Sequence, residues 1–511
     1  MNNLNFLVDV LKESPVFKTL EKNVKPGRTV CASGLSTINK SNIIYALCRL
    51  KGVTAFCLAS DEKEAQTLCN DLSCMGLRAY VYPVRDFNFL DFQSRSHEYE
   101  HARLKVLLKL LNHECDVAIA CVDAAAQLTV PRNVLEQSVI EFEEGRELSL
   151  EKATKALTLL GYERFDAVEG SGQFSLRGGI LDFFMPDSDY PVRCEFWGDE
   201  ITDLSYFDIE TQRRFKKADK ITLSPSTEIV IEDRAALADK IEHKAKLLRS
   251  KNSAKAKEKL FSEAELIRSG AMIANADKFI NQIYDKPESL FDYLDRNTLV
   301  FASEFTAIQE RGKSMDFISN ETLMQGFEDG TLCRGFDRFA LTFNECTEFL
   351  QSHGTIVLEN FVHGSMPIKL SEIISFSTKQ LSAWGGSYKQ LKEDVDGLFT
   401  PESKGVIFAG TERAAKNLCD TFNADGINAV YSEGADEISK GELLVMQGAL
   451  SAGFEYPSQK FFAITYSQVS YRPEKSKKKR KRRDRKFTAF PSLPPVIMLY
   501  TMFTVSVCSA V

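Results

Sequence analysis

Apolar and polar positions follow two different rhythms along the chain, and each predicts its own architecture. In the first ~120 residues, short apolar runs alternate with longer stretches of helical period. Arg28 to Ala32, Val53 to Leu58, Ala79 to Pro83 and Asp116 to Val122 read as strands. Lys40 to Arg49, Asp61 to Met75 and Ala102 to Leu111 read as helices, with Asp61 placed to cap the second. Repetition of strand, helix and strand predicts a parallel sheet with helices on its faces. The rhythm then shortens. After a helix from Leu148 to Leu160, closed by Gly161, come apolar-alternating runs at Gln173 to Leu176, Ile180 to Phe184, Val192 to Trp197 and Ile201 to Phe207. Gly178-Gly179 and Gly198-Asp199 break them, as hairpin turns do, which predicts an antiparallel sheet.

Residues 234 to 296 are charged and helical in period. A second strand-helix pattern begins near Gly354, with strands at Gly405 to Gly410, Glu442 to Met446 and Lys460 to Thr465 and a helix from Thr411. No fixed-period repeat is present. At 511 residues the chain is too long for one core, so three or four domains are expected. A composition of 44% hydrophobic and 26% charged residues is that of an ordinary globular protein.

Charge and cysteine sharpen this. The net charge is −7, yet Arg472 to Lys486 holds eleven Lys and Arg against Glu474 and Asp484. The rest of the chain is therefore acidic and a poor general nucleic-acid surface; the basic run reads as a solvated linker. Twelve cysteines are scattered without a C-x-x-C pair, mostly in apolar stretches, as buried thiols in a reducing cytoplasm would be. The N-terminus lacks a signal peptide pattern. A cytoplasmic protein is expected.

Two motifs invite a catalytic reading. Gly34-Leu-Ser-Thr-Ile-Asn39-Lys40-Ser41 occupies the strand-to-helix position of a P-loop, with Asn39 where the second glycine belongs. A side chain there hinders convergence of backbone N–H groups on a phosphate. Val122-Asp123-Ala124-Ala125 is the best Walker B candidate, and it has one carboxylate. His97-Glu98-Tyr99-Glu100-His101 matches the zincin pattern, but its surroundings are polar, with Ser94 and Ser96 where a helix would be capped. Neither is expected to work: no catalytic residue, no metal and no cofactor is assigned to this chain.

The stretch from Phe174 to Arg213 carries the most specific signal. It contains Arg177-Gly-Gly-Ile-Leu-Asp-Phe183-Phe, Pro191-Val-Arg-Cys-Glu-Phe-Trp-Gly-Asp-Glu-Ile and Phe207-Asp-Ile-Glu-Thr-Gln-Arg. This resembles the signature shared by bacterial transcription-repair coupling factors and UvrB. Asp61-Glu-Lys-Glu-Ala, Gly161-Tyr-Glu-Arg-Phe and Gly448-Ala-Leu-Ser-Ala-Gly-Phe-Glu-Tyr-Pro extend the resemblance over about residues 1 to 486. UvrB has a tyrosine-rich strand-separating hairpin after the third strand. Here Val84 to Ser96 is short, with Phe87, Phe89 and Phe92 and no tyrosine cluster, so coupling factor is the better match.

The resemblance implies an α/β fold. A degenerate RecA-like domain (1–123 and 226–345) is interrupted by a mainly antiparallel α+β domain (124–225). A second α/β domain (354–470), a basic linker (471–486) and an aberrant tail (487–511) follow. It implies that the inserted domain recruits the excision-repair protein UvrA, with contacts at Arg177 and Phe183 and also at Arg164 and Arg193. The competing reading of the same residues is that both strand arginines are ion-paired and Phe183 is core. The family has lost nucleotide binding in the RecA-like domain. Its full-length members use ATP and magnesium to translocate on DNA and displace stalled RNA polymerase, through C-terminal domains expected to be missing here.

Beyond Lys486 the resemblance stops. Val496 to Val511 is mostly apolar behind a basic stretch, which would suit a membrane-anchored scaffold, yet it is shorter than the ~20 residues a span needs. A shifted reading frame fits better. Codons permitted for Phe487 to Cys508, read one nucleotide earlier, give V-H-R-L-S-E-L-T-A-G-D-Y-V-V-H-D-V-H-G-I-G-V, which resembles the opening of the family's polymerase-binding domain. No membrane association is expected. A UvrB-like ATPase that opens DNA is the remaining alternative.

Overall fold

The computed structural model describes residues 4–85, 97–137, 140–249, 253–270, 276–361, 366–381 and 388–466. The Phe87, Phe89 and Phe92 cluster, Ser94, Ser96, the basic linker and the tail lie outside these residues.

Seven parallel strands form the first sheet, in the order Glu372–Ser375, Val30–Ser33, Thr355–Glu359, Leu299–Ser303, Ala55–Ala59, Val117–Cys121 and Ala79–Tyr82. Several are buried along their whole length, as apolar strands covered on both faces must be. Their alternate residues feed two separate cores. Ala55, Cys57 and Ala59 enter one, while Phe56 and Leu58 enter the other. The helices sit where periodicity predicts them, at Thr37–Lys51, Glu62–Cys74 and Glu98–Leu111. Asp61 caps the second by accepting from the Glu64 N–H at 2.7 Å. This is a sheet of the RecA-like type.

The second sheet is the insertion. Ile140–Glu143 and Lys220–Leu223 pair antiparallel at its base. Between them run six strands in the order Arg214–Lys217, Glu200–Phe207, Val192–Trp197, Ile180–Phe183, Gln173–Arg177 and Glu163–Arg164, antiparallel except for the last pair. Helix Leu150–Leu159, capped by Ser149, covers one face, and Ala153 and Leu157 pack with Phe142, Phe174, Leu181 and Phe183. The insertion is tied back by a buried charge network. Glu228, just past its exit strand, accepts from Arg103 Nε at 2.7 Å and from Thr129 Oγ1 at 2.7 Å. Arg85 reaches Glu100 at 3.2 Å and Asp277 at 2.7 Å. Cutting one partner from such a network strands a buried charge, so it fixes the insertion firmly on the helix Glu98–Leu111.

A third, mixed sheet runs Lys379–Leu381, Gly453–Tyr456, Phe461–Tyr466, Lys404–Ala409, Glu442–Met446 and Ala429–Ser432. It packs against a helix layer of the first sheet: Val406, Phe408, Phe454 and Phe461 share a core with Phe6, Ile43 and Leu47. The strand-helix pattern read from Gly354 divides differently from expectation. Its first strand, Thr355–Glu359, lies in the first sheet, as does Glu372–Ser375. Periodicity marks a buried strand without saying which sheet receives it.

Candidate functional site

Arg177 of the Arg-Gly-Gly motif and Arg193 of strand Val192–Trp197 meet at Asp182 on the outer face of the inserted sheet. Strands Gln173–Arg177 and Ile180–Phe183 are joined by Gly178 (φ +62°) and Gly179, where a Cβ would come within 2.7 Å of the Phe196 carbonyl oxygen. Register then decides which side chains share a face. Arg177 pairs with Ile180, and Asp182 with Ser175 and Arg193. Asp182, 1% exposed, is held between two cations: Arg177 donates from Nη2 at 2.7 Å, and Arg193 from Nε at 2.7 Å and Nη2 at 2.8 Å. Arg193 also lies over the Phe207 ring at 4.4 Å and donates to the Gln212 carbonyl. Arg193 is thereby fixed. Arg177 is bound through one nitrogen and its side chain stays 49% exposed, so its remaining donors face solvent.

Phe183 is a correction. It points to the opposite face, is fully buried, and packs against the Phe142 ring at 5.0 Å. Strand alternation leaves no choice, because Leu181 and Phe183 must share the side that Asp182 avoids. It cannot touch a partner in this conformation. Arg164 is exposed, but on the two-residue edge strand in register with core Phe174, so it does not join Arg177 and Arg193. Asp182 was not singled out from sequence. Its signal was present: an acidic residue on the face of one strand, flanked by arginines at the same face of two neighbours.

The loop at residues 34–41 joins strand Val30–Ser33 to helix Thr37–Lys51, and several of its groups are bonded within the fold. Gly34 (φ +80°) packs so closely that a Cβ would lie 2.2 Å from the Phe376 carbonyl oxygen. The Gly34 and Leu35 N–H groups donate to the Asn360 and Glu359 carbonyls, at 3.2 and 3.0 Å. Lys40, 2% exposed, turns its ammonium to Glu304 at 2.5 Å, Ser303 at 2.9 Å and Glu64 at 3.3 Å. Asn39 is buried and accepts from Ser36 Oγ at 2.7 Å; Ser41 bonds the Thr37 carbonyl and Asp71. Asp71 in turn accepts from the Ser451 N–H and Oγ, both at 2.7 Å, bracing the third sheet. Burial pushes Asp71 up to about 6 against these hydrogen bonds. Asp123, the Walker B candidate, is held by Arg311 at 2.7 Å.

The histidines of the zincin-like segment stack at 5.9 Å, and His97 Nδ1 lies 2.9 Å from Glu100. Glu100 also accepts from Arg85, Thr227 Oγ1 and the Glu228 N–H. Burial opposes its charge, but these partners hold it well below the usual carboxylate range. Among the described residues no group of three or more His, Cys, Asp or Glu is arranged to hold a metal. No helix among them is long and apolar enough to cross a membrane.

The chain is thus a parallel sheet of the RecA-like type with an antiparallel domain inserted. The insertion matches the UvrB interaction domain family over residues 140–229. The chain is similar to the transcription-repair-coupling factors, and the likeness is to their N-terminal part. It is 26% identical over 486 residues to that of Bacillus subtilis strain 168, covering 91% of this chain and 41% of the relative. It is 25% identical to that of Staphylococcus epidermidis RP62A, over 78% of this chain and 34% of the relative. For Staphylococcus aureus MRSA252 the identity is 22%, over 93% and 41%. The chain spans about two fifths of the length of these relatives.

Proposed function

We propose that this chain recruits a UvrA protein to sites of transcription-coupled excision repair, through the outer face of the inserted sheet. One observation carries the reading: the UvrB interaction domain match, 140–229, coincides with the sheet that presents Arg177 to solvent. Arginine is suited to this because its planar fork can bind Asp182 and a partner's carboxylate together. In the proposed division, 1–123 and 226–345 form the RecA-like domain and 124–225 the insertion. Strands Thr355–Glu359 and Glu372–Ser375 complete the first sheet, and the later α/β domain is taken from Lys379.

The contact set becomes Arg177 as the direct contact, Arg193 as the residue that positions it through Asp182, and Arg164 as a peripheral contact. Binding needs no nucleotide on this chain; the internal bonds of Gly34, Leu35 and Lys40 support that. Displacement of RNA polymerase, DNA translocation and ATP turnover are assigned to parts of the full-length family protein outside the matched stretch. The test is titration of purified UvrA onto the chain, without nucleotide bound to it. Saturable binding that Arg177→Ala weakens supports the reading. Absence of binding, or binding unchanged by Arg177→Ala and Arg193→Ala together, refutes it.

A further inference from the structure

With Phe183 in the core, the outer face has a cation at Arg177 and needs an apolar anchor. Trp197 is the most exposed large apolar side chain among the described residues, at 83%. It closes strand Val192–Trp197 just before the Gly198 turn (φ +62°). Its pleat is opposite to that of core residues Cys194 and Phe196, so it stands on the same face as Arg193 and Glu195. A row runs across that face in register: Arg177 opposite Ile180, Ile180 opposite Glu195, Glu195 opposite Asp203. Trp197 sits one pleat from this row, and with Gly179, Ile180, Glu195, Phe196 and Thr202 it lines a shallow cavity of about 320 Å³.

The charges complete the picture. Glu195 and Asp203 are both ion-paired to Arg214. Asp203 is also paired to Lys217, while Glu200, opposite Trp197 on the next strand, is an exposed carboxylate; Arg177 is the outward cation at the other end of the row. Leaving an indole in water is unfavourable, whereas burying one at a protein contact is among the strongest single anchors available.

We propose that Trp197 is the aromatic anchor of the partner-binding face, inserting into an apolar pocket of UvrA that has a carboxylate placed for Arg177. This rests on the recruitment reading above. It assigns to Trp197 the part that the sequence motif suggested for Phe183.

The test uses the full chain and purified UvrA. Trp197→Ala should lower affinity about thirtyfold with no change in melting temperature, and Trp197→Phe should recover most of the loss. A second readout is spectroscopic. The chain has two tryptophans, so in a Trp384→Phe background Trp197 is the sole indole reporter. Its emission should move to shorter wavelength and become protected from iodide when UvrA binds. If the wild-type chain binds and Arg177→Ala weakens it, but Trp197→Ala binds within threefold and the emission stays put, the anchor assignment is overturned and recruitment stands. If the wild-type chain does not bind, both fall.

Discussion

The 34–41 loop and the Arg177–Trp197 face each began as a recognisable motif, and the fold has treated their polar groups in opposite ways. In the loop the groups at Gly34, Leu35 and Lys40 are turned inward. Lys40 faces Glu64 and Glu304, and the Gly34 and Leu35 amides face carbonyls. On the inserted sheet, internal bonding stops short. Asp182 and Gln212 together take up Arg193, but Asp182 takes only one nitrogen of Arg177, and Trp197 is left in water. A motif's residues therefore indicate a site only if their hydrogen-bonding capacity is still available. The same accounting weighs against a phosphate site at the loop and supports the proposed partner face on the sheet.

That contrast can be broken by substitution, and the largest effects should be on stability. Phe183→Ala opens a cavity in the insertion's core and should cost about 4 kcal/mol. Any loss of UvrA binding should then track unfolding, as followed by denaturant melts. A stable Phe183→Ala variant that binds weakly would return Phe183 to the interface. Lys40→Ala should cost about 3 kcal/mol, because Glu64 and Glu304 lose their buried cation. In a working phosphate loop the same change would abolish nucleotide binding. Here ATP should not shift the melting temperature of the wild-type chain, and an ATP-dependent shift lost in Lys40→Ala would show that the loop still functions.

Arg177→Ala should act the other way, on binding and scarcely on stability. A loss of about 2 kcal/mol, or about thirtyfold in affinity, is expected for an interface arginine. Arg193→Ala should weaken binding less directly and destabilise more, since Asp182 is buried and keeps one partner. Equal effects of both variants on binding with neither affecting the melt would contradict the positioning role of Arg193.

Most of this architecture was legible in the sequence, for physical reasons that also mark where legibility ended. The apolar runs at 55–59 and 117–121 are buried on both faces, and a capped helix such as Glu62–Cys74 announces itself through Asp61. The hairpins of the insertion were fixed by Gly178-Gly179 and Gly198-Asp199. Sheet membership of Thr355–Glu359 was not legible, because pairing partners distant in sequence leave no local trace. The facing of Phe183 was open to a parity argument: Asp182 and Arg193 needed a common face, which sends Phe183 inward. Family likeness favoured the contact role over that argument. The charge cluster around Lys40 joins residues 40 and 64 from two helices with 304 and 359 from two strand ends, so no window of sequence contains it.

The smallest expected effect comes from that cluster and depends on pH. Glu359 is fully buried, and accepts from the Phe305 N–H at 2.8 Å. Burial, and then the neighbouring Glu304 carboxylate, push Glu359 up to about 7. Its folded-state value thus lies above that of an unfolded glutamate, so the folded chain binds more protons between them. Stability from this group is fully present below the usual carboxylate range and is lost as pH rises towards 7. Glu359→Gln replaces the protonated acid with a neutral amide that can donate to Glu304 at every pH. The variant should match the wild type in melting temperature near pH 5 and exceed it near pH 8. Parallel pH profiles for the two proteins would mean that Glu359 is ionised throughout, with Lys40 neutralising Glu304 and Glu359 together rather than leaving one of them to hold a proton.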